Sequence, residues 1–195
     1  MNVYDFDGTV FDGDSTLRFY RFCLARYPKL IPHLPGIVIA AVSFRCGFRS
    51  GGKTREDFKE RFYRGFLPYI PDTDGAVQSF WEKESDRIKP WYRKIMQPTD
   101  VIVSASPAFL LAPICETLGV TLIASQVDPS TGRLMGPNLR GAEKVNAFRE
   151  RFPTATVEKF FSDTDSDAPM ASLAAAAFLV RGNEVLPWKC RQTGI

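Results

Sequence analysis

Apolar and polar positions along this chain of 195 residues switch between a helical period and short extended runs. Asn2, Val3, Tyr4 and Phe6 read as a buried strand that breaks at Asp7-Gly8. Asp14-Ser15-Thr16 then supplies an N-cap for a helix over residues 16–26, with Leu17, Tyr20, Cys23 and Leu24 as its apolar face. Pro28, Pro32 and Pro35 punctuate the next stretch, a second helix is predicted from Gly36 to Arg45, and Gly47 to Gly52 reads as a loop. Thr54 to Asp57 has the spacing of a capping box and opens a third helix, on which Phe58, Phe62 and Phe66 form one stripe. Pro68 and Pro71 end it. A fourth helix is predicted over residues 74–88, with a return segment through Pro90 to Met96.

From residue 101 the pattern changes. Val101 to Ala105 is a short apolar run, and Pro107 can start a helix that Gly119 stops. A strand over residues 121–127, a small hairpin around Asp128 to Met135, a helix over 142–152 and a strand over 157–161 follow. An Asp-rich loop, a helix over 168–176 and a last short strand over 178–180 complete the reading. Strands alternating with helices predict an α/β fold with a parallel sheet, whose site lies at the carboxyl ends of the strands.

Composition narrows the class without naming a function. The four cysteines, Cys23, Cys46, Cys115 and Cys190, show no CxxC spacing, so neither a zinc site nor a disulfide framework is expected. The apolar run from Leu34 to Phe44 is far shorter than the ~20 residues of a spanning helix. A cleaved secretory leader is not expected either, because cleavage would delete the first strand, and a cytoplasmic protein is the expectation. Charge is unevenly spread: Ser15 to Gln97 carries 16 Lys and Arg against 8 Asp and Glu, and the remainder 9 against 14. A basic insertion facing an acidic core suits an anionic ligand held between them, although a solvated basic face would give the same count.

The candidate chemistry sits at strand and helix ends. Asp5 and Asp7 flank the end of the first strand, where two carboxylates can hold a hard cation and leave one free to attack or to exchange protons. Taken alone, a plain Asp-Gly loop explains them equally well. Ser104 ends the run VIVSA, Lys144 opens a helix after Gly141, and Asp163, Asp165 and Asp167 crowd one loop. Each also has a structural explanation: a Ser bonding its own backbone, a solvated Lys, an Asp capping a helix. A tight set of carboxylates, however, repels itself unless a cation or a titration role compensates.

In this combination and order the chain resembles the haloacid dehalogenase superfamily of phosphohydrolases. The motif DxDGT is matched by Asp5, Asp7, Gly8 and Thr9, the second motif by Ser104, the third by Lys144, and the acidic DxxxD loop by Asp163 and Asp167. The resemblance spans the whole chain and implies a Rossmann-like parallel sheet core, residues 1–14 and 98–195, with an all-α cap over residues 15–97. It also implies an Mg²⁺-dependent phosphatase in which Asp5 forms an aspartyl phosphate and Asp7 is the general acid and base. Asp5, Asp7 and Asp163 would hold the metal, Asp167 would orient a metal-bound water, and Gly8, Thr9, Ser104, Ala105 and Lys144 would hold the phosphoryl oxygens.

The implied substrate is an anionic small-molecule or lipid phosphate, with phosphoserine as the alternative. Phosphoserine phosphatases place a Glu where this chain has Asp14, one methylene shorter. The third helix carries Arg55, Lys59, Arg61 and Arg64, of which Arg61 and Arg64 are the candidates for contact with the leaving group or an anionic membrane. A different class, a nucleic-acid-binding module built on Arg61, Tyr63, Arg64, Trp81, Trp91, Tyr92 and Arg93, lacks a recognised motif and leaves the four aspartates without a purpose.

Overall fold

The computed structural model describes residues 1–33 and 55–188. The predicted second helix, the glycine loop after it, Thr54 of the capping box, Cys46, Cys190 and the run Leu34 to Phe44 lie outside these residues. In chain order the elements are β1 (Asn2–Tyr4), α1 (Ser15–Arg26), α2 (Arg55–Arg64), α3 (Thr73–Glu84), α4 (Pro90–Ile95), β2 (Val101–Pro107), α5 (Ala108–Leu118) and β3 (Thr121–Ser125). They continue with α6 (Ala142–Arg151), β4 (Val157–Ser162), α7 (Ala168–Ala171), β5 (Ala174–Arg181) and β6 (Glu184–Pro187).

One sheet runs in the order β3-β2-β1-β4-β5-β6, parallel except for the final β5–β6 hairpin. β1 is central, so the residues that leave its carboxyl end face those leaving β2 and β4. Successive side chains of a strand point to opposite faces, and the core divides accordingly. Tyr4, Ile102 and Phe161 enter one apolar cluster, while Val3, Val101, Val103 and Phe160 enter the other. The first cluster runs without interruption into the helical stretch, joining Phe19 of α1, Phe62 and Phe66 at α2, and Phe80 and Trp81 of α3. Trp81 also donates its indole N–H to Leu110 O at 2.6 Å, fixing α3 on α5. Where the chain leaves the helical stretch it pairs with residues that follow the first turn: Lys89 N donates to Val10 O at 2.8 Å and Asp12 N to Arg87 O at 2.9 Å.

Several elements differ from the sequence pattern for physical reasons. The alanine run predicted as helix through residue 176 is helical only to Ala171, and Ala174 onward is strand, paired in register with β4 (Val157 with Ala174, Lys159 with Ala176). Helix propensity is a weak preference that sheet pairing overrides. Gly182, at φ +58, then turns the chain into β6, which the pattern did not reveal. The fourth predicted helix stops at Glu84 and tightens into a 3₁₀ turn over Ser85–Arg87, and Pro90–Ile95 is a helix rather than a plain return. The hairpin around Asp128 reduces to a single bridge between Val127 and Leu134. No helix of the described residues is long and apolar enough to cross a membrane.

Candidate active site

The turn after β1 is closed by its own backbone. Phe6 O accepts from Thr9 N, Val10 N and Phe11 N, and Gly8 N donates to Gly13 O at 3.0 Å. Gly8 adopts φ +74, a conformation open to glycine at little cost, and a Cβ there would stand 2.0 Å from Asp163 Oδ2. The loops after β1 and β4 therefore touch through this residue. Asp7 reaches the start of α1, where its Oδ1 accepts from Ser15 N at 2.7 Å, while Asp14 Oδ1 accepts from Leu17 N at 2.9 Å. Two carboxylates thus use the unpaired amides of one helix N-terminus.

Asp5 is buried, and its Oδ1 accepts from Lys144 Nζ at 2.6 Å. The same ammonium donates to Asp167 Oδ2 at 2.6 Å, and Ser162 Oγ donates to that oxygen at 2.8 Å. Burial works against the charge of Lys144, but Asp5 and Asp167 more than offset it and its pKa is raised. Burial likewise pushes Asp5 up to about 6, with Lys144 pulling it back and Asp167 and Asp163 adding to the rise. Asp7 is pushed up to about 7, first by burial and then by Asp14, against the bonds from Ser106 and Ser15. Asp163 is raised by burial too, and no other described residue donates a hydrogen bond to its carboxylate.

β2 contributes a bulge. Its register with β3 shifts between Ser104 and Pro107, and Ser106 N folds back onto Ser104 Oγ at 3.1 Å. This turns Ser106 Oγ onto Asp7 Oδ2 and leaves Ser104 buried at the same end. From the other side Lys59 of α2 reaches across to Ala105 O and to Asn138 Oδ1. Burial lowers its pKa to about 8, partly opposed by Asp7 and Asp14.

These groups surround a cavity of about 470 Å³. Of the residues expected from the sequence, Asp5, Asp7, Gly8, Asp14, Ser104, Ala105, Lys144, Asp163 and Asp167 line it. Thr9, Arg61 and Arg64 do not. Thr9 is fully buried, its amide closes the turn on Phe6 and its hydroxyl finds no partner among the described residues. Arg61 and Arg64 are exposed, and Arg64 lies 3.7 Å from Glu60. The reason is helical phase: at about 100° per residue, Arg64 falls nearly opposite the inward stripe of Phe58, Phe62 and Phe66 and Arg61 well to its side, whereas Lys59 falls at its edge. That phase was available in the sequence and favours Lys59 over Arg61 and Arg64. Ser106 and Arg140 line the cavity as well, placed there by a strand bulge and a loop that carry no sequence signal, and Tyr63 lines it from α2.

Lys89 went unrecognised too. This lysine is buried, and its ammonium donates to Gly8 O and, at 2.6 Å, to Gly182 O. It ties the exit of the helical stretch to the first turn and to the β5–β6 hairpin.

Among the described residues no three acidic, His or Cys side chains already converge as a cage for a metal. Mg²⁺ rarely uses such a cage; it keeps several waters and takes one or two carboxylates. An all-oxygen donor set, an Asp163 carboxylate to which no other described residue donates and the close approach that Gly8 allows fit that ion.

Comparisons with known proteins bear on the family and the fold. Protein CicA of Caulobacter vibrioides is 27% identical over 187 residues, which cover 88% of this chain and 82% of that protein. Phosphoserine phosphatase SerB1 of Mycobacterium tuberculosis is 26% identical over 212 residues, covering 98% of this chain and 68% of its own. A crystal structure of a protein of unknown function from Bordetella pertussis superposes with a TM-score of 0.75 at 18% identity, covering 91% of this chain and 87% of the other. A family model for haloacid dehalogenase-like hydrolases matches residues 3–172, and the chain belongs to that family.

Proposed function

We propose that the protein is an Mg²⁺-dependent phosphomonoester hydrolase that works through an aspartyl phosphate on Asp5. The observation that carries this reading is the contrast between two aspartates of one turn. Asp5 is held by the Lys144 ammonium at 2.6 Å, whereas Asp7 is bonded by a backbone amide and a serine hydroxyl and pushed up to about 7. One carboxylate is oriented as a nucleophile, and the other is poised to carry a proton near neutral pH.

In the first step an oxygen of Asp5 bonds to phosphorus, the bond from phosphorus to the ester oxygen breaks, and protonated Asp7 gives its proton to the departing alcohol. In the second, Asp7 takes a proton from water as the water oxygen bonds to the same phosphorus. The bond from phosphorus to Asp5 then breaks, releasing phosphate and restoring the carboxylate. Lys144 and Ser104 hold the phosphoryl oxygens, where negative charge accumulates. Asp5, Asp163 and the backbone carbonyl of Asp7 would hold Mg²⁺, with Asp167 behind them; when bound, the ion would supply Lewis-acid stabilisation of the phosphoryl charge. Residues 1–14 and 98–195 form the catalytic core and residues 15–97 the cap, whose Phe58, Phe62 and Tyr63 keep water from the intermediate. Buried Cys23 and Cys115 are free thiols, in keeping with a cytoplasmic protein.

A second reading, hydrolysis of an amino-acid phosphate, is favoured by Asp14, whose carboxylate lines the cavity and could meet an ammonium group. Turnover of phenyl phosphate with Mg²⁺, followed by acid quench and trapping of phosphate on the protein, tests the main reading. Hydroxylamine-labile phosphate on residue 5 is the expected result. Turnover of phosphoserine far above that of phenyl phosphate would select the second reading, and absence of turnover with either ester would overturn both.

A further inference from the structure

The cavity that holds the catalytic aspartates is also lined by apolar side chains, Leu17, Phe58 and Phe62, and by two cations, Lys59 and Arg140. Both cations stand at one short loop. Lys59 donates to the side chain of Asn138, and Arg140 follows two residues later with its own amide donating to Asn138 O at 2.7 Å. The ammonium of Lys59 is already occupied by Ala105 O and Asn138 Oδ1. Arg140 differs: it is exposed at the cavity, and among the described residues its guanidinium has neither a hydrogen bond nor an ion pair. Like charges side by side repel, and Arg140 adds to the lowering of the Lys59 pKa that burial begins. An oxyanion between them relieves that repulsion, and a planar guanidinium offers paired donors matched to a carboxylate or phosphate.

Resting on the hydrolase reading above, we infer that Arg140, facing Lys59, forms a second anion-binding subsite, so that the substrate is a phosphomonoester whose alcohol portion carries its own carboxylate or phosphate beside an apolar part. Asp5, Ser104 and Lys144 take the phosphate that is cleaved. Arg140 takes the anion that is retained, and Leu17, Phe58 and Phe62 cover the carbon framework between them. Charge-assisted bonds of this kind contribute more than neutral ones, but a guanidinium at an exposed mouth is screened, so an advantage of about tenfold in affinity is expected at low salt.

The test compares benzylphosphonate with 4-carboxybenzylphosphonate, two non-hydrolysable ligands that differ by one anion. Binding is measured by calorimetry with Mg²⁺ on the Asp5→Asn protein, alone and combined with Arg140→Gln or Arg140→Lys. The carboxylated ligand should bind about tenfold more tightly, lose that preference with Arg140→Gln, keep part of it with Arg140→Lys, and lose it progressively with salt. Equal affinity for the two ligands, or a preference that Arg140→Gln leaves intact, overturns the subsite while leaving the hydrolase reading standing. Should neither phosphonate bind, the phosphate reading of the cavity has failed. The subsite is then read from 4-methylbenzoate, which carries the ring and the anion alone: binding that depends on Arg140 sustains it, and no binding overturns it. A phosphonate in place of the ring carboxylate distinguishes a retained phosphate from a retained carboxylate.

Discussion

A methyl group on Gly8 would stand 2.0 Å from Asp163 Oδ2, so the turn after β1 and the loop after β4 approach each other only because residue 8 has no side chain. Gly8→Ala meets two obstacles, a left-handed φ of +74 and a displaced carboxylate. The backbone term alone costs ~1–2 kcal/mol. Thermal unfolding should fall by several degrees and kcat by about tenfold or more, because Asp163 is pushed from its place. Calorimetry and steady-state kinetics on one preparation check both.

The acid pair makes stability depend on pH in a stated direction. Asp5 and Asp7 rise from 3.8 to about 6 and about 7. Between about pH 4 and pH 7 the folded chain therefore keeps protons that the unfolded chain releases, and stability falls as pH rises through that window. In chelator the unfolding midpoint should be higher at pH 5 than at pH 8. Mg²⁺ should raise it most at pH 8, where the ion no longer competes with protons, and Asp163→Ala should lose most of that rise. A midpoint in chelator that climbs from pH 5 to pH 8 would contradict this account.

Lys144 and Asp5 separate fold from chemistry. Asp5→Asn leaves the ammonium paired with Asp167, so the protein should stay folded while turnover drops about 10³-fold or more. Lys144→Met leaves Asp5 and Asp167 buried without their cation, a change that costs ~3–5 kcal/mol in comparable sites. Its midpoint should fall by about 10 °C at pH 8 and recover in part at pH 5, where the carboxyls take up protons. Equal stability of the two variants would show that the ion pair contributes nothing to the fold.

Lys89 lies outside the catalytic set yet supports it. Lys89→Met removes the donor from the half-buried Gly8 carbonyl, at ~1–3 kcal/mol for a buried polar group left unsatisfied, while the exposed Gly182 carbonyl can turn to water. A loss of about 5 °C in the midpoint is expected, with kcat reduced more than KM is raised, because the Gly8 turn loosens without removal of a substrate contact. Hydrogen exchange at the amides of residues 8–13 should quicken in parallel.

Arg61 and Arg64 project away from the cavity, in contrast to their expected contact with a leaving group. Replacing both by Ala should keep KM for a soluble ester within about twofold, as exposed substitutions usually do. A clear rise in KM would mean that α2 moves when substrate binds.

Sequence and structure divide the account along lines that physics explains. The period-2 and period-3.6 patterns sufficed for β1, α1, β2, α5, α6 and β4, because each buries one face or a continuous run and carries its own cap or stop, such as Asp14 before α1 and Gly119 after α5. Asp5, Asp7, Ser104, Lys144 and Asp163 were legible for a related reason: in a parallel sheet, residues that end neighbouring strands or start the next helix meet at one edge. The alanine run of β5 was not legible, since its preference for helix is a local property and its pairing with β4 is not. Arg61 and Arg64 against Lys59 was a matter of helical phase, which the sequence contained. Only the tertiary structure could decide that Lys144 spans Asp5 and Asp167, that the β2 bulge turns Ser106 onto Asp7, that Lys89 holds the Gly8 turn, and that Arg140 reaches the cavity without a partner among the described residues. Such contacts join residues up to 139 positions apart, and no local pattern of polarity encodes a distance between side chains that only the packed sheet brings together.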